Sequence, residues 1–354
     1  MVALEDAWLN RHWLSVLSAV ERELPEFLIG FADQERFQAE RLESGYRVIE
    51  RWPMLDAGVA EQLPRIARIA GQGAVIGREL CYQCLVTDEE TRLIEDVCAL
   101  ANVMISGFDQ VLDERPQGAS ELTTAIARER IVMALDLRRA NAAPIFALPA
   151  FTDPAAKYVA AVAEIFFAQC RKLGIRKADE RKWARFAAAI LEAYDAELVA
   201  ASPLERPVEV LREAFRLKSA HSCSILGGVV ELSSAPRLAF ANTSLIDAMM
   251  PLGEIAGMID DLCDVAIDLA SGQRSSLLLM ARTEWRPGTT SLGIAEAYEA
   301  LTRDLVVDQA IRVMALSMRA LRQSCQEMFE DPDRFMTSVR IWLGTWLDAG
   351  PMVP

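Results

Sequence analysis

The sequence predicts an all-α protein, because helix-forming residues are abundant and β-branched runs are short and rare. Prolines recur at intervals that divide the chain into segments of helix length. No Asn-Gly or Asp-Gly turn signals a β-hairpin. Apolar residues make up 52% of the 354 positions, enough for a buried core, and no low-complexity linker divides them. A single domain over 1–354 is therefore predicted, with N-terminal helices over 1–55 and the main helical core over 56–350.

The individual helices are predicted from apolar periodicity and from residues that start or stop helices. A helical segment is expected over about 5–50, followed by a loop or short helices over 52–64. Thr87 and Glu90 have capping-box spacing, which predicts a helix over 87–114. Further helices are predicted over 120–140, 155–173, 179–201, 207–233, 240–270, 290–329 and 333–348.

Composition and charge exclude several classes of function. The chain has 51 acidic and 37 basic side chains, a formal charge of −14, so nucleic acid is not an expected partner. We expect no membrane span, because no uninterrupted apolar run reaches the necessary length, and no secretory signal. Seven scattered cysteines favour free thiols and a cytoplasmic location. Only two histidines are present, which excludes a histidine-rich metal site.

The first candidate site lies at the end of the helix predicted over 87–114. Asp109 and Asp113 are four residues apart and therefore share one helix face, which continues towards the interior through Ile105. No Lys or Arg occurs from 93 to 114 to offset their repulsion. The pattern indicates either a cation site or, as the simpler alternative, an acidic helix end without a function.

A second acidic segment lies in the helix predicted over 240–270. Asp260, Asp264 and Asp268 repeat every four residues and form one stripe, with Asp261 beside it. No Lys or Arg occurs from 238 to 273, whereas a solvated acidic face usually carries interleaved basic residues. Carboxylate oxygens are ligands that Mg²⁺ prefers, and Mg²⁺ also binds phosphates. Together, the two segments predict that a diphosphate group is held between them.

These segments resemble the metal-binding motifs of one enzyme superfamily. The sequence DQVLD, from Asp109 to Asp113, is similar to the first aspartate-rich motif of trans-isoprenyl diphosphate synthases and class I terpene synthases. The stretch over 253–279 resembles their second metal-binding region. Lys218-Ser219 resembles a Lys-Thr pair that contacts diphosphate, and it precedes Asp260 by 42 residues, in the expected order. The resemblance covers about residues 60–350.

The resemblance implies an isoprenoid-synthase type of helical bundle around a central apolar cavity. It also implies Mg²⁺ as the cofactor, with three ions, and a prenyl diphosphate of C15–C25 as the substrate. A length of C20 or more is favoured because Ala101 is small. The implied metal ligands are Asp109, Asp113, Asp260, Asp261, Asp264 and Asp268. The implied substrate-binding residues are Lys218, Arg274, Phe108, Ile105 and Met104. A homodimer is a further expectation.

Departures from the family pattern separate three possible functions. The basic residues that hold a second diphosphate for chain elongation are missing, since no lysine precedes Lys157. Cyclisation of one prenyl diphosphate by a class I terpene synthase is therefore favoured over a chain-elongating prenyl diphosphate synthase. Gln110 replaces an aspartate of the first motif and Gln273 replaces a lysine after the second. These two replacements favour the third possibility, a non-catalytic partner of a prenyl synthase.

Overall fold

The computed structural model confirms the predicted fold class, an all-α single-domain protein. It describes residues 2–28, 30–56, 63–138, 144–148, 150–177, 179–202, 204, 206–233, 243–271, 274–281, 299, 301–303 and 305–348. Helices make up 86% of the structure, and the described residues contain no strand. In the same part of the chain, no helix combines the length and the apolar character that crossing a membrane requires.

Thirteen α-helices, together with two 3₁₀ turns at Pro25–Phe27 and Pro53–Asp56, form the described part of the bundle. The helices are α1 (Val2–Glu23), α2 (Phe31–Arg51), α3 (Leu63–Gln83), α4 (Asp88–Glu114), α5 (Pro116–Ala125), α6 (Arg128–Ala134), α7 (Pro154–Lys177), α8 (Glu180–Ala201), α9 (Val208–Glu231), α10 (Leu245–Ser271), α11 (Ser276–Met280), α12 (Val306–Met328) and α13 (Pro332–Asp348).

Several predicted elements differ from the structure. The single helix expected over 120–140 is two short helices, α5 and α6, which begin at Pro116 and Arg128. The expected capping box is also wrong in detail. Helix α4 does begin after Thr87, but the side chain of Thr87 makes no capping hydrogen bond. The first part of the helix expected over 290–329 lies outside the described residues, and Gln273 does too.

The helix α3 was not predicted, and its glycines explain both the omission and the packing. Glycine lowers helix propensity, so Gly71 and Gly73 weaken the helical pattern of this segment. In the structure, a methyl group on Gly71 would lie 1.7 Å from the carbonyl oxygen of Arg41 in α2. On Gly73 it would lie 2.4 Å from the carbonyl oxygen of Cys98 in α4. These glycines therefore allow α3 to pack directly against two neighbouring backbones.

Glycines also set the separation of α9 and α10, the two helices that bring Lys218 towards the second acidic segment. A methyl group on Gly253 would lie 2.3 Å from the carbonyl oxygen of Ser219, and one on Gly257 would lie 2.2 Å from its hydroxyl oxygen. Ser219 follows Lys218 on α9, and Gly257 precedes Asp260 by three residues on α10. The close contact of these helices therefore places the aspartates of α10 near Lys218.

The substitution Gly71→Ala is expected to lower the free energy of unfolding by about 1–3 kcal/mol, because the added methyl group forces α2 and α3 apart. Urea unfolding followed by circular dichroism measures the change. Gly30→Ala is the matched control, since no atom lies within 4 Å of the methyl group that it would add. Equal stability of the two variants would contradict this account of the contact between α2 and α3.

Candidate functional site

An apolar cavity with two charged groups lies between α4, α6, α7, α8 and α9. Its empty space amounts to about 580 Å³, a figure that includes solvent at its opening. Its polar end is formed by Glu197 of α8 and by Lys218 and Ser222 of α9. The other lining residues are Met104, Ile105, Phe108, Ile126, Ile131, Phe167, Ile190, Ala193, Tyr194 and Ile225. The cavity therefore suits a ligand that has an apolar part and a charged group.

Lys218 connects this cavity to the first acidic segment. Its ammonium nitrogen Nζ donates a hydrogen bond to Asp109 Oδ1 of α4 at 2.5 Å and lies 3.3 Å from Glu197 Oε1 of α8. The ammonium group also lies 5.6 Å from the centre of the Phe215 ring, within the range of a cation–π contact. The ammonium group of Lys218, on α9, thus contacts acidic side chains of both α4 and α8 at the polar end of the cavity.

The charges in this contact shift the pKa values of all three ionisable groups. Burial opposes the ionised forms of Asp109 and Lys218, but their mutual attraction outweighs it, so the pKa of Asp109 falls and that of Lys218 rises. Burial instead dominates at Glu197, where it raises the pKa to about 8 despite the charge of Lys218. The charge of Asp109 adds to this rise, so Glu197 is the less readily ionised of the two acids.

The second acidic segment lies beside this charged end. Burial raises the pKa of Asp260 well above its ordinary value, with further contributions from the nearby charges of α10 and Asp109. Burial also raises the pKa values of Asp113 and Asp264 to about 6 and that of Asp268 to about 8. The charge of Asp109 acts on Asp264, and that of Asp113 acts on Asp268. Thus the carboxylates of α4 and α10 interact with one another, although none of these aspartates lines the cavity itself.

The chemistry of these side chains fits Mg²⁺. Asp264 Oδ1 is buried and has no hydrogen-bond partner in the described part of the chain, so a cation there would satisfy an unpaired acceptor. By contrast, Asp261 Oδ2 accepts a hydrogen bond from the backbone N–H of Ser276 at 2.9 Å. Among the described residues, no group of three acidic, histidine or cysteine side chains is arranged to hold an ion by itself. Mg²⁺ commonly binds through one or two carboxylates plus the phosphates of a ligand, which this arrangement permits.

The predicted substrate-binding residues divide into two groups. Met104, Ile105 and Phe108 line the cavity together with Lys218, whereas Ala101 is fully buried in the core and does not. Arg274 makes other contacts: it donates hydrogen bonds to the carbonyl oxygens of Ser202 and Leu204, after the end of α8. In this structure Lys218, and not Arg274, supplies the cation next to Asp109.

Two charged residues at this site were missed in the sequence. Glu197 follows Ile190 by seven residues and Ala193 by four, so it falls on the apolar face of α8, and an acid on such a face was a usable signal. Arg65, in the first turn of α3, is exposed, and its charge partly offsets the raised pKa of Asp264. No motif distinguishes Arg65, because its proximity to α10 arises only from the packing of distant helices.

No protein-family model and no curated protein sequence matches this chain.

The substitution Asp264→Asn is expected to stabilise the metal-free protein in a pH-dependent manner. Because folding raises the pKa of Asp264 to about 6 from about 4, the folded state binds more protons than the unfolded state within this interval. Its contribution to stability is thus lost as the pH rises from about 4 through 6. The neutral amide avoids this loss, so its advantage should grow with pH and level off at about 1 kcal/mol, after allowance for solvent screening.

Urea unfolding from pH 4.5 to 8 in the presence of a chelator measures this advantage. Asp247→Asn is the control, because Asp247 is an exposed carboxylate on the same helix. An advantage of Asp264→Asn that is equal at every pH would contradict the proposed origin in burial.

Proposed function

We propose that this protein is a class I terpene synthase, an enzyme that ionises a linear prenyl diphosphate with Mg²⁺ and cyclises the resulting allylic cation. The observation that carries the proposal is the position of Lys218. Its ammonium group lies in the wall of an apolar cavity and contacts Asp109, while the carboxylates of α10 lie close enough to interact with both. The site would thus offer apolar walls to the prenyl chain and charged groups to its diphosphate.

The diphosphate would bind at the charged end of the cavity. A bare anion is repelled by the carboxylates of Asp109, Asp113, Asp260 and Asp264, so it must bind with cations. Bound Mg²⁺ would offset this repulsion and act as a Lewis acid on the departing diphosphate. Asp109 and Asp113 on one side, and Asp260, Asp261, Asp264 and Asp268 on the other, are the residues that would hold the ions. Lys218 would donate charge-assisted hydrogen bonds to the diphosphate oxygens.

The apolar walls would control the fate of the cation after ionisation. When the carbon–oxygen bond breaks, its electron pair leaves with the diphosphate and the positive charge remains on the allylic carbons. Phe108 and Tyr194 line the cavity with ring centres 5.9 Å apart, so their faces can stabilise this charge. An internal double bond of the same chain would then attack the cation and close a ring. Loss of a proton to the diphosphate or capture of water would end the reaction.

Incubation of the purified protein with C10, C15, C20 and C25 prenyl diphosphates tests the proposal. We expect release of diphosphate and formation of an apolar product that depends on Mg²⁺, detected by mass spectrometry. Asp109→Asn should lower turnover about 100-fold or more, because it removes a carboxylate that would hold Mg²⁺, the ion on which stabilisation of the departing anion depends. Glu89→Gln, which changes an exposed acid on the same helix, should retain the activity of the parent. The proposal is wrong if no diphosphate is released from any of the four substrates.

Chain elongation is the second candidate, and Arg65 is the observation that favours it. Elongation requires basic residues that bind a second diphosphate, and the charge of Arg65 acts on Asp264 from outside the first motif. One contact disfavours elongation. Arg115 follows the first motif, but it is paired with Asp153 at 3.3 Å and is not directed to a second anion. Cyclisation is therefore preferred.

Labelled isopentenyl diphosphate, supplied with an allylic diphosphate primer, distinguishes the two candidates. We expect no label in a longer diphosphate, because a single arginine near Asp264 is a weak second anion site. Incorporation of label would establish elongation instead, and in that case Arg65→Gln should reduce it.

A further inference from the structure

We propose that Glu197 is a positioning residue, which holds Lys218 at the cavity wall while its ammonium group moves from Asp109 to the diphosphate of the bound ligand. This inference rests on the proposed function, and it assigns a role to a residue outside both acidic segments. It follows from the geometry of three side chains on three different helices.

The first step is that Lys218 and the proposed Mg²⁺ would share the carboxylate of Asp109. Lys218 Nζ contacts Asp109 Oδ1 at 2.5 Å, so the ammonium group is bound to a carboxylate that the proposed function assigns to Mg²⁺. Mg²⁺ at this carboxylate would repel the ammonium group, while the diphosphate oxygens would offer it new acceptors. Binding of Mg²⁺ with a diphosphate therefore favours transfer of Lys218 from Asp109 to the ligand.

The second step is that Glu197 gives the released ammonium group a fixed partner. Glu197 Oε1 lies 3.3 Å from Lys218 Nζ, and both side chains line the cavity. The Glu197 side chain is only 12% exposed, so its position is restricted by packing. Without this contact a lysine side chain has many rotamers, and ordering it again on ligand binding costs free energy. The contact with Glu197 therefore limits the movement of Lys218 to a short displacement at the polar end of the cavity.

The third step compares two possible roles of Glu197. A purely electrostatic role and a positioning role predict different changes in the affinity for an anion when the carboxyl group is removed. If the carboxyl group made no specific contact with Lys218, its removal would leave the binding of an anion unchanged or, where the group is ionised, strengthen it. If it positions Lys218, its removal should weaken anion binding, because Lys218 then remains on Asp109 or loses its order. The sign of the change in affinity thus separates the two roles.

Binding of inorganic diphosphate in the presence of Mg²⁺, measured by titration calorimetry, provides the test. We expect Glu197→Ala to weaken binding about tenfold, as for the loss of a hydrogen bond to a charged group. Glu197→Gln retains an oxygen that accepts from Lys218, so its affinity should stay within about twofold of the parent. Asp195→Ala is the matched control on α8, since Asp195 is paired with Arg128 at 3.2 Å and lies outside the cavity lining. Circular dichroism establishes that each variant is folded.

The possible results distinguish this inference from the proposed function. If the parent protein does not bind diphosphate with Mg²⁺, the proposed function itself is overturned, and the inference with it. If the parent binds diphosphate and Glu197→Ala binds it equally or more tightly, only the positioning role of Glu197 is overturned. Equal weakening by Glu197→Ala and Glu197→Gln would also overturn that role, because the retained hydrogen-bond acceptor would then have no effect.

Discussion

The contact of Lys218 with Asp109 and Glu197 determines the charge balance of the whole site. Carboxylates from α4, α8 and α10 lie close enough to affect one another's pKa values, and burial makes their ionised forms costly unless they are paired. Lys218 lowers the pKa of Asp109 and also opposes the rise at Asp260 and Asp261. A single positive charge cannot neutralise so many acids. Burial and mutual repulsion therefore keep the pKa values of Glu197, Asp260 and Asp268 raised.

This concentration of charge depends on helices that approach one another closely. Gly253 and Gly257 allow α10 to contact the backbone and side chain of Ser219, the residue next to Lys218. Larger residues at these glycines would move α10 away from α9 and weaken every interaction between its aspartates and Lys218. Gly253 and Gly257 therefore determine both how closely α9 and α10 pack and how near the aspartates of α10 lie to Lys218.

The sequence predicted the fold class well and the site in part, for identifiable physical reasons. Local patterns, such as the four-residue spacing of Asp109 and Asp113, depend only on helix geometry and can be recognised without a structure. The omission of α3 has the opposite cause, because Gly71 and Gly73 lower helix propensity while the contacts that favour the helix come from α2 and α4. Glu197 was missed because its partner Lys218 lies 21 residues away on another helix.

Arg274 was predicted to bind substrate, but in the structure it connects two segments of the chain. It follows the end of α10, and its guanidinium group donates to Ser202 and Leu204 beyond the end of α8. Arg274 thereby connects the chain that follows the helix of Asp260 and Asp264 to the chain that follows the helix of Glu197. Separating these two segments would break hydrogen bonds to two backbone carbonyl groups.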